Sequence, residues 1–291
     1  MKRCRQDKIF IFFNYVLATF FLLIMIYPLY YILIASISNP DALMAGQVIL
    51  YPIDITLEGY QALLEHKEIL TGYANTVFYT VTGTLLSLYV TVPMGYVLSR
   101  NTLPFRKFLS KYCLLTMFVG GGMIPTYLNI RSLNLLDTRW IMILLGCASV
   151  WNMILCRNFF MTNIPDGIIE AAKMDGCSEI GIFTRVVLPL SKPILAVMTL
   201  YFGVSHWNSY MNALIYINDE KKWPLQLFIR NILSVANNIN PENIADSIEK
   251  LKQLEVMKYG LLVVATVPML ILYPFVQKYF VQGVTVGSVK E

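Results

Sequence analysis

The chain has 291 residues, 56% of them hydrophobic and 14% charged, with a mean hydropathy of +0.57. Soluble domains carry about 25% charged residues, so this chain lacks the side chains to cover itself with a solvated surface, and aqueous enzymes and nucleic-acid binders are poor readings. The net charge of +5, from 23 Lys and Arg against 18 Asp and Glu, is dispersed and forms no anion-binding cluster.

Six stretches contain no Asp, Glu, Lys or Arg: 9–37, 74–98, 112–130, 140–156, 194–217 and 259–276. A bilayer core about 30 Å thick needs roughly 20 apolar residues per spanning helix. The expected fold is therefore an all-α polytopic membrane protein with six transmembrane helices, forming one domain over 1–291. The first stretch follows the basic Met1-Lys2-Arg3-Cys4-Arg5. Its apolar run is much longer than the roughly 7–15 residues of a signal-peptide core, which reads as an uncleaved first span. The cysteines Cys4, Cys113, Cys147, Cys156 and Cys177 show no CxxC or Cys/His spacing, so neither a metal site nor a disulfide framework is expected.

With six spans both termini share one side. That side carries fourteen Lys and Arg against nine on the other, and six acidic residues against twelve. The positive-inside rule then places both termini in the cytoplasm, with the basic loop from Arg100 to Lys107 as the strongest contributor. On the outer side lie the long segments 38–73 and 218–258 and the short 131–139. In the second of these, Leu225, Phe228, Ile229 and Ile232 recur at helical spacing, as do Ile244, Ile248 and Leu251 after Pro241, predicting two short amphipathic helices.

The spans hold no carboxylate, whereas proton- and ion-coupled carriers need ionisable groups within the membrane. Apart from Tyr and Cys, His206 is the one ionisable side chain expected inside. No GxxxxGK[ST] phosphate loop occurs, so uphill transport must draw its energy from another subunit through a cytoplasmic surface. The segment 157–192 suits that task. Pro165 is suited to a first helical turn, and Ile168, Ile169, Ala171, Ala172 and Met174 continue a small-residue-rich helix. Asp175-Gly176 supplies a turn. Ser178 can cap a second helix carrying Ile182, Phe183 and Val186, which should stop before Pro189. Such a hairpin exposes apolar residues that no bilayer covers, and it calls for a protein partner.

Glu170-Ala171-Ala172, three residues, Gly176, nine residues, then Val186-Val187-Leu188-Pro189 resembles the "EAA" loop of bacterial ABC-importer permeases, with Val186 in place of the family's Ile. Leu190-Ser191-Lys192-Pro193 and the tail from Val281 to Lys290 resemble the carbohydrate-importing, MalG-like branch. The run from Gly120 to Tyr127 is similar to permeases for complex oligosaccharides or aldouronates. The resemblance covers essentially all six spans and implies a type I ABC importer permease in a bacterial cytoplasmic membrane.

It further implies that the loop 162–192 docks in a groove of an ATPase subunit. Glu170 would contact an arginine there, Ala171 and Ala172 would permit close approach, and Asp175-Gly176 would turn the chain; Phe183, Leu188 and Pro189 complete the motif. In the tail 277–291, Gly283, Thr285, Gly287 and Ser288 would reach the ATPase interface, although the family's terminal Gly is Glu291 here. For a substrate path the candidates are His206, Trp207, Asn208, Tyr210 and Asn212 in the fifth span, where Asn208 and Asn212 fall on one helix face, and Asn75, Thr76 and Tyr79 in the second. Packing against a sister permease explains the same polarity equally well. Gly120–Gly122 point to tight packing or a helix break. The implied partners are a second homologous permease, two ATPase subunits carrying the ATP and Mg, an extracytoplasmic solute-binding protein, a carbohydrate and the bilayer, with no cofactor on this chain. A stand-alone carrier or channel is the alternative, and a membrane enzyme is disfavoured because no catalytic dyad is visible.

Overall fold

Three of the long apolar runs become long helices, and the others do not. The computed structural model of the chain describes residues 5–236, 252, 254–255, 257–274 and 277. In chain order the helices are α1 (Arg5–Ser36), α2 (Pro40–Met44), α3 (Glu58–Glu65), α4 (Lys67–Ser99), α5 (Arg106–Phe118), α6 (Met123–Ser132), α7 (Arg139–Leu144), α8 (Val150–Asn163), α9 (Asp166–Met174), α10 (Glu179–Leu190), α11 (Lys192–Trp207), α12 (Tyr210–Tyr216), α13 (Leu225–Ala236) and α14 (Met257–Pro274). Among the described residues α1, α4 and α14 are each long and apolar enough to cross a membrane, and counting each of two bent pairs, α5 with α6 and α10 with α11, as one span gives up to five.

Three predicted spans are interrupted. The stretch 112–130 is cut at Val119–Gly122, where α5 and α6 meet at 109°. A Cβ on Gly120 or Gly122 would meet nothing within 4 Å, and Gly122 has φ +83, so these glycines break the helix and do not serve tight packing. The stretch 140–156 is split into α7 and α8: Gly146 has φ +84, and Ser149 Oγ then caps α8 by accepting from Asn152 N–H at 3.3 Å. The stretch 194–217 ends as α11 at Trp207, and Asn208 and Ser209 separate it from α12. Asn208 and Asn212 therefore do not share a helix face. Hydropathy scores composition and is blind to these breaks, because the residues that make them are uncharged.

The chain forms two compact units, one built on residues up to Ile69 with 229–267, the other on Leu70–Phe228. In the first, Ile34, Ala35, Ala42, Leu43 and Val48 form a core beside Tyr31 and Tyr259, while the most apolar window of α1 is wholly exposed. α13 bears out the first predicted amphipathic helix. The second, at Ile244, Ile248 and Leu251, lies outside the described residues, as do Cys4 and the tail residues Gly283, Thr285, Gly287 and Ser288.

In the second unit α4 is the axis, and its polarity is inverted relative to a helix in water. Thr76, Thr80, Thr84, Ser87 and Thr91 are buried along one face, while Val77, Phe78, Val81, Leu85 and Tyr89 are exposed on the other. Such an arrangement suits a helix whose outside meets lipid or another membrane subunit and whose polar groups turn inward. Close approach along the inner face is made by glycines about three turns apart. A Cβ on Gly83 would sit 2.6 Å from the His206 ring, and one on Gly95 would sit 2.5 Å from Cys156 Cβ and 3.1 Å from the backbone of α8.

Because backbone atoms stand in the way at Gly95, relaxation there is restricted. Gly95→Val is expected to destabilise the protein by about 1–3 kcal/mol or more through overpacking, whereas Gly120→Ala leaves the thermal midpoint of the detergent-solubilised protein within about 2 °C of the parent. Thermal unfolding of both variants checks this.

Candidate coupling site

The hairpin between α8 and α11 is built from the predicted parts. Pro165 takes the N-cap position of α9, one residue earlier than expected. Gly176 turns the chain at φ +78, with its N–H on Lys173 O and the Cys177 N–H on Ala172 O, both at 3.0 Å. Ser178 Oγ accepts from Gly181 N–H at 3.2 Å and so caps α10. Lys173 Nζ bridges the turn to Glu179 Oε1 at 2.6 Å, a hydrogen bond that raises the lysine pKa. The helix does not stop before Pro189. It runs through to Leu190 by widening into a π-helical turn over Ile182–Val187, which moves the carbonyls of the preceding turn away from the proline ring. The chain then bends by 83° into α11, with Ser191 Oγ buried and donating to Val187 O at 2.7 Å.

The hairpin has an inner and an outer face. Ile169, Ala172, Ile182 and Val187 are buried in one core with Val92, Tyr96, Cys156, Phe160, Ile164, Ile194, Met198 and Phe202, and Phe183 and Leu188 pack partly against it. Ile168, Glu170, Ala171, Met174, Asp175, Gly176, Ile180 and Pro189 are exposed, Met174 at 89% and Ile180 at 77%. The two alanines of the motif thus do different work: Ala172 fits the hairpin onto its own subunit, and Ala171 stands outside beside Glu170.

What fixes the hairpin to the axis was not read from the sequence. Arg100, just past the end of α4, donates from Nη1 to Asp166 Oδ1 at 3.2 Å, from Nη2 to Phe160 O at 3.5 Å and from Nε to Ser99 Oγ at 3.1 Å. Its guanidinium lies 4.9 Å above the Tyr96 ring, one turn earlier, and that ring meets Phe183 of α10 at 5.0 Å and Phe160 of α8 at 5.6 Å. Arg106 Nε and Arg157 Nε both donate to Leu98 O, at 3.0 and 3.2 Å, placing two cations on the carbonyl end of α4 where the helix dipole favours them. Cavities of about 430 and 230 Å³ flank Arg100 and reach Ile180 and Glu170 respectively. The available signal was the spacing: Tyr96 and Arg100 are four apart at the first charge after an apolar run.

Most of the candidate path residues are committed to packing. His206 is buried against Gly83, 3.3 Å from Ser87 Oγ, and Trp207 is buried against Tyr73, ring centroids 6.0 Å apart. Asn75 Nδ2 donates to the carbonyls of Lys221 and Trp223 at 2.7 and 3.1 Å, Tyr79 OH donates to Lys222 O at 2.9 Å, and Thr76 Oγ1 accepts from Leu225 N–H at 2.8 Å. These three clip the segment after α12 onto α4. Asn208 and Tyr210 are exposed and Asn212 half-buried, with Asn208 Oδ1 accepting from Gln226 at 3.4 Å.

Residues 2–286 match the family model described as "Binding-protein-dependent transport system inner membrane component". The chain belongs to this family. The permease is 37% identical over 285 residues to a Bacillus subtilis protein described as a polygalacturonan/rhamnogalacturonan transport system permease, YtcP, covering 98% of this chain and 99% of that one. It is 39% identical over 269 residues to LplC of the same organism, covering 92% and 90%. The fold matches a chain in the crystal structure of a bacterial ABC transporter involved in import of the acidic polysaccharide alginate, with a TM-score of 0.87, 38% identity and coverage of 96% of this chain and 99% of that chain. This is the family of ABC-importer membrane subunits, which are not themselves enzymes.

On the permease's other polar cluster, Asp219 has its pKa held below the usual carboxylate value, first by the Lys221 N–H and then by Lys222. A carboxyl depressed on folding stabilises the loop at pH above its unfolded value and loses that contribution as pH falls through the folded one. Amide exchange of residues 218–223, corrected for intrinsic rates, is therefore expected to speed up below about pH 4, and Asp219→Asn is expected to remove that pH dependence. The raised Lys173 is affected only in the opposite direction, above the ordinary lysine range of about 10.4.

Proposed function

We propose that the chain is one transmembrane permease of an ATP-driven importer that carries an oligosaccharide across a bacterial cytoplasmic membrane, coupled to ATPase subunits through the hairpin bearing Glu170. The observation carrying this reading is the two-faced hairpin: its inner face is locked to α4, α8 and α11, while Glu170, Ala171, Met174 and Ile180 project outward without cover. In this reading the permease spans the membrane six times as a single domain with both termini cytoplasmic. It pairs with a second permease, two ATPase subunits that hold ATP and Mg, and a solute-binding protein. Glu170 and Asp175 make polar contacts to the ATPase, Gly176 fixes the turn, and Gly283, Thr285, Gly287 and Ser288 follow into the ATPase interface. Asn208, Tyr210 and Asn212 remain the path candidates with surface to offer a solute.

ATP binding draws the ATPases together, and the hairpins follow. Because the hairpin is fastened to α4 by Arg100 and Tyr96, displacement at the ATPase is passed to a helix about 50 Å long, from 33 residues at 1.5 Å each. Alternation between inward- and outward-open states then requires only that nucleotide, binding protein and sugar favour different states. The relatives' printed substrates, polygalacturonan, rhamnogalacturonan and alginate, favour an oligosaccharide containing uronate units. Their membership of a binding-protein-dependent family displaces the stand-alone carrier.

In proteoliposomes holding the assembled complex, Glu170→Lys should lower uptake at least about tenfold while vanadate-sensitive ATP hydrolysis no longer responds to loaded binding protein, the tenfold corresponding to about 1.4 kcal/mol. Gly176→Val, which forces a β-branched residue into the left-handed region at φ +78, should do the same and also loosen the hairpin by about 1–2 kcal/mol. Parallel uptake and hydrolysis measurements check both variants; normal coupling in Glu170→Lys contradicts the reading.

A further inference from the structure

The guanidinium of Arg139 is held in place without being neutralised. Arg139 opens α7, and its Nη2 donates to Asn75 Oδ1 at 3.3 Å. The same group lies 5.8 Å from the centroid of the Phe78 ring. Asn75 is itself fixed by the carbonyls of Lys221 and Trp223. Asp137 and Asp219 stand nearby, but both are engaged by Lys222, at 3.5 and 3.3 Å, and Asp137 Oδ1 also accepts the N–H groups of Asn218 and Asp219. Among the described residues no carboxylate forms an ion pair with Arg139, and its side chain is exposed.

The position along α4 gives this charge a side of the membrane. Asn75 precedes Arg100 by 25 positions, about 37 Å of helix at 1.5 Å per residue, slightly more than the roughly 30 Å of a bilayer core. The hairpin and Arg139 therefore mark opposite faces, and if the hairpin meets the ATPases then Arg139 lies where solute is delivered. A planar guanidinium offers two parallel N–H bonds to a carboxylate, and the exposed ring of Phe78 beside it offers an apolar face. We infer that Arg139 recognises a carboxylate of the incoming solute, making it a specificity residue for uronate-containing oligosaccharides. The inference rests on the import reading above and adds to it the group that reads the acid. An arginine serving a lipid headgroup snorkels on a free stem; this one is held by the Asn75 amide and lies over the Phe78 ring.

The test compares uptake of trigalacturonate and of its trimethyl ester by the reconstituted complex carrying wild-type permease, Arg139→Gln or Arg139→Lys, with binding-protein-stimulated ATP hydrolysis as the folding control. The inference predicts that Arg139→Gln lowers trigalacturonate uptake at least about tenfold, or ~1.4 kcal/mol, with hydrolysis intact and ester uptake unchanged, and that Arg139→Lys restores part of the loss. Undiminished trigalacturonate uptake by Arg139→Gln overturns it, and so does a loss shared with the ester or with hydrolysis. A defect present only in vesicles with anionic lipid assigns the arginine to headgroups and also overturns it. Wild-type complex that moves neither sugar removes uronate oligosaccharides from the import reading and overturns this inference with them.

Discussion

At the last turn of α4 a single cation and a single ring tie three helices together. Arg100 reaches Asp166 at the start of α9 and a backbone carbonyl of α8, and the Tyr96 ring beneath it touches Phe160 and Phe183. The ion pair alone is a modest contribution, because Asp166 is 68% exposed while Arg100 is 13% exposed, and pairs open to water contribute about 0.2–1 kcal/mol. The strength lies in the combination: a guanidinium stacked on an aromatic face, several hydrogen bonds from one head group, and an apolar core in which Ile182 and Val187 are fully buried. A hairpin held this way can move only with the helix to which it is fastened.

The second constraint is the reversal of inside and outside. α4 buries hydroxyls and exposes Val81, Leu85 and Tyr89, an arrangement that would be unstable in water and suits a lipid or subunit environment. Burying small polar residues and glycines lets helix backbones approach closely, as at Gly83 against His206 and Gly95 against Cys156. Those contacts are steric and leave little freedom to repack.

The sequence exposed the membrane class, the long helices α1 and α4 and the hairpin, because each rests on composition or on local turn chemistry: apolar runs, a Gly at a left-handed turn, a Ser at an N-cap. It hid the interruptions at Val119–Gly122, before Ser149 and at Asn208–Ser209, since uncharged residues break a helix without changing its hydropathy. The continuation of α10 through Pro189 was hidden as well, because a π-helical turn has no composition of its own. Among candidate site residues, Glu170 and Gly176 were legible from motif spacing. Arg100, Tyr96 and Arg139 were not, because their significance lies in contacts between elements distant in sequence. His206, Asn75 and Tyr79 drew notice as polar groups in apolar runs; the structure gives them packing partners, a distinction that spacing along one helix does not contain.

The central claim is that hairpin and axis move together when nucleotide binds. Spin labels on the exposed positions Met174 and Tyr89, introduced as cysteines into the assembled complex, report that distance directly by pulsed dipolar spectroscopy. With ATP and vanadate the account predicts an unchanged Met174-to-Tyr89 distance within the permease, together with a shorter distance from Met174 to the corresponding site on the second permease. A change inside the permease as large as the change between the two permeases contradicts it.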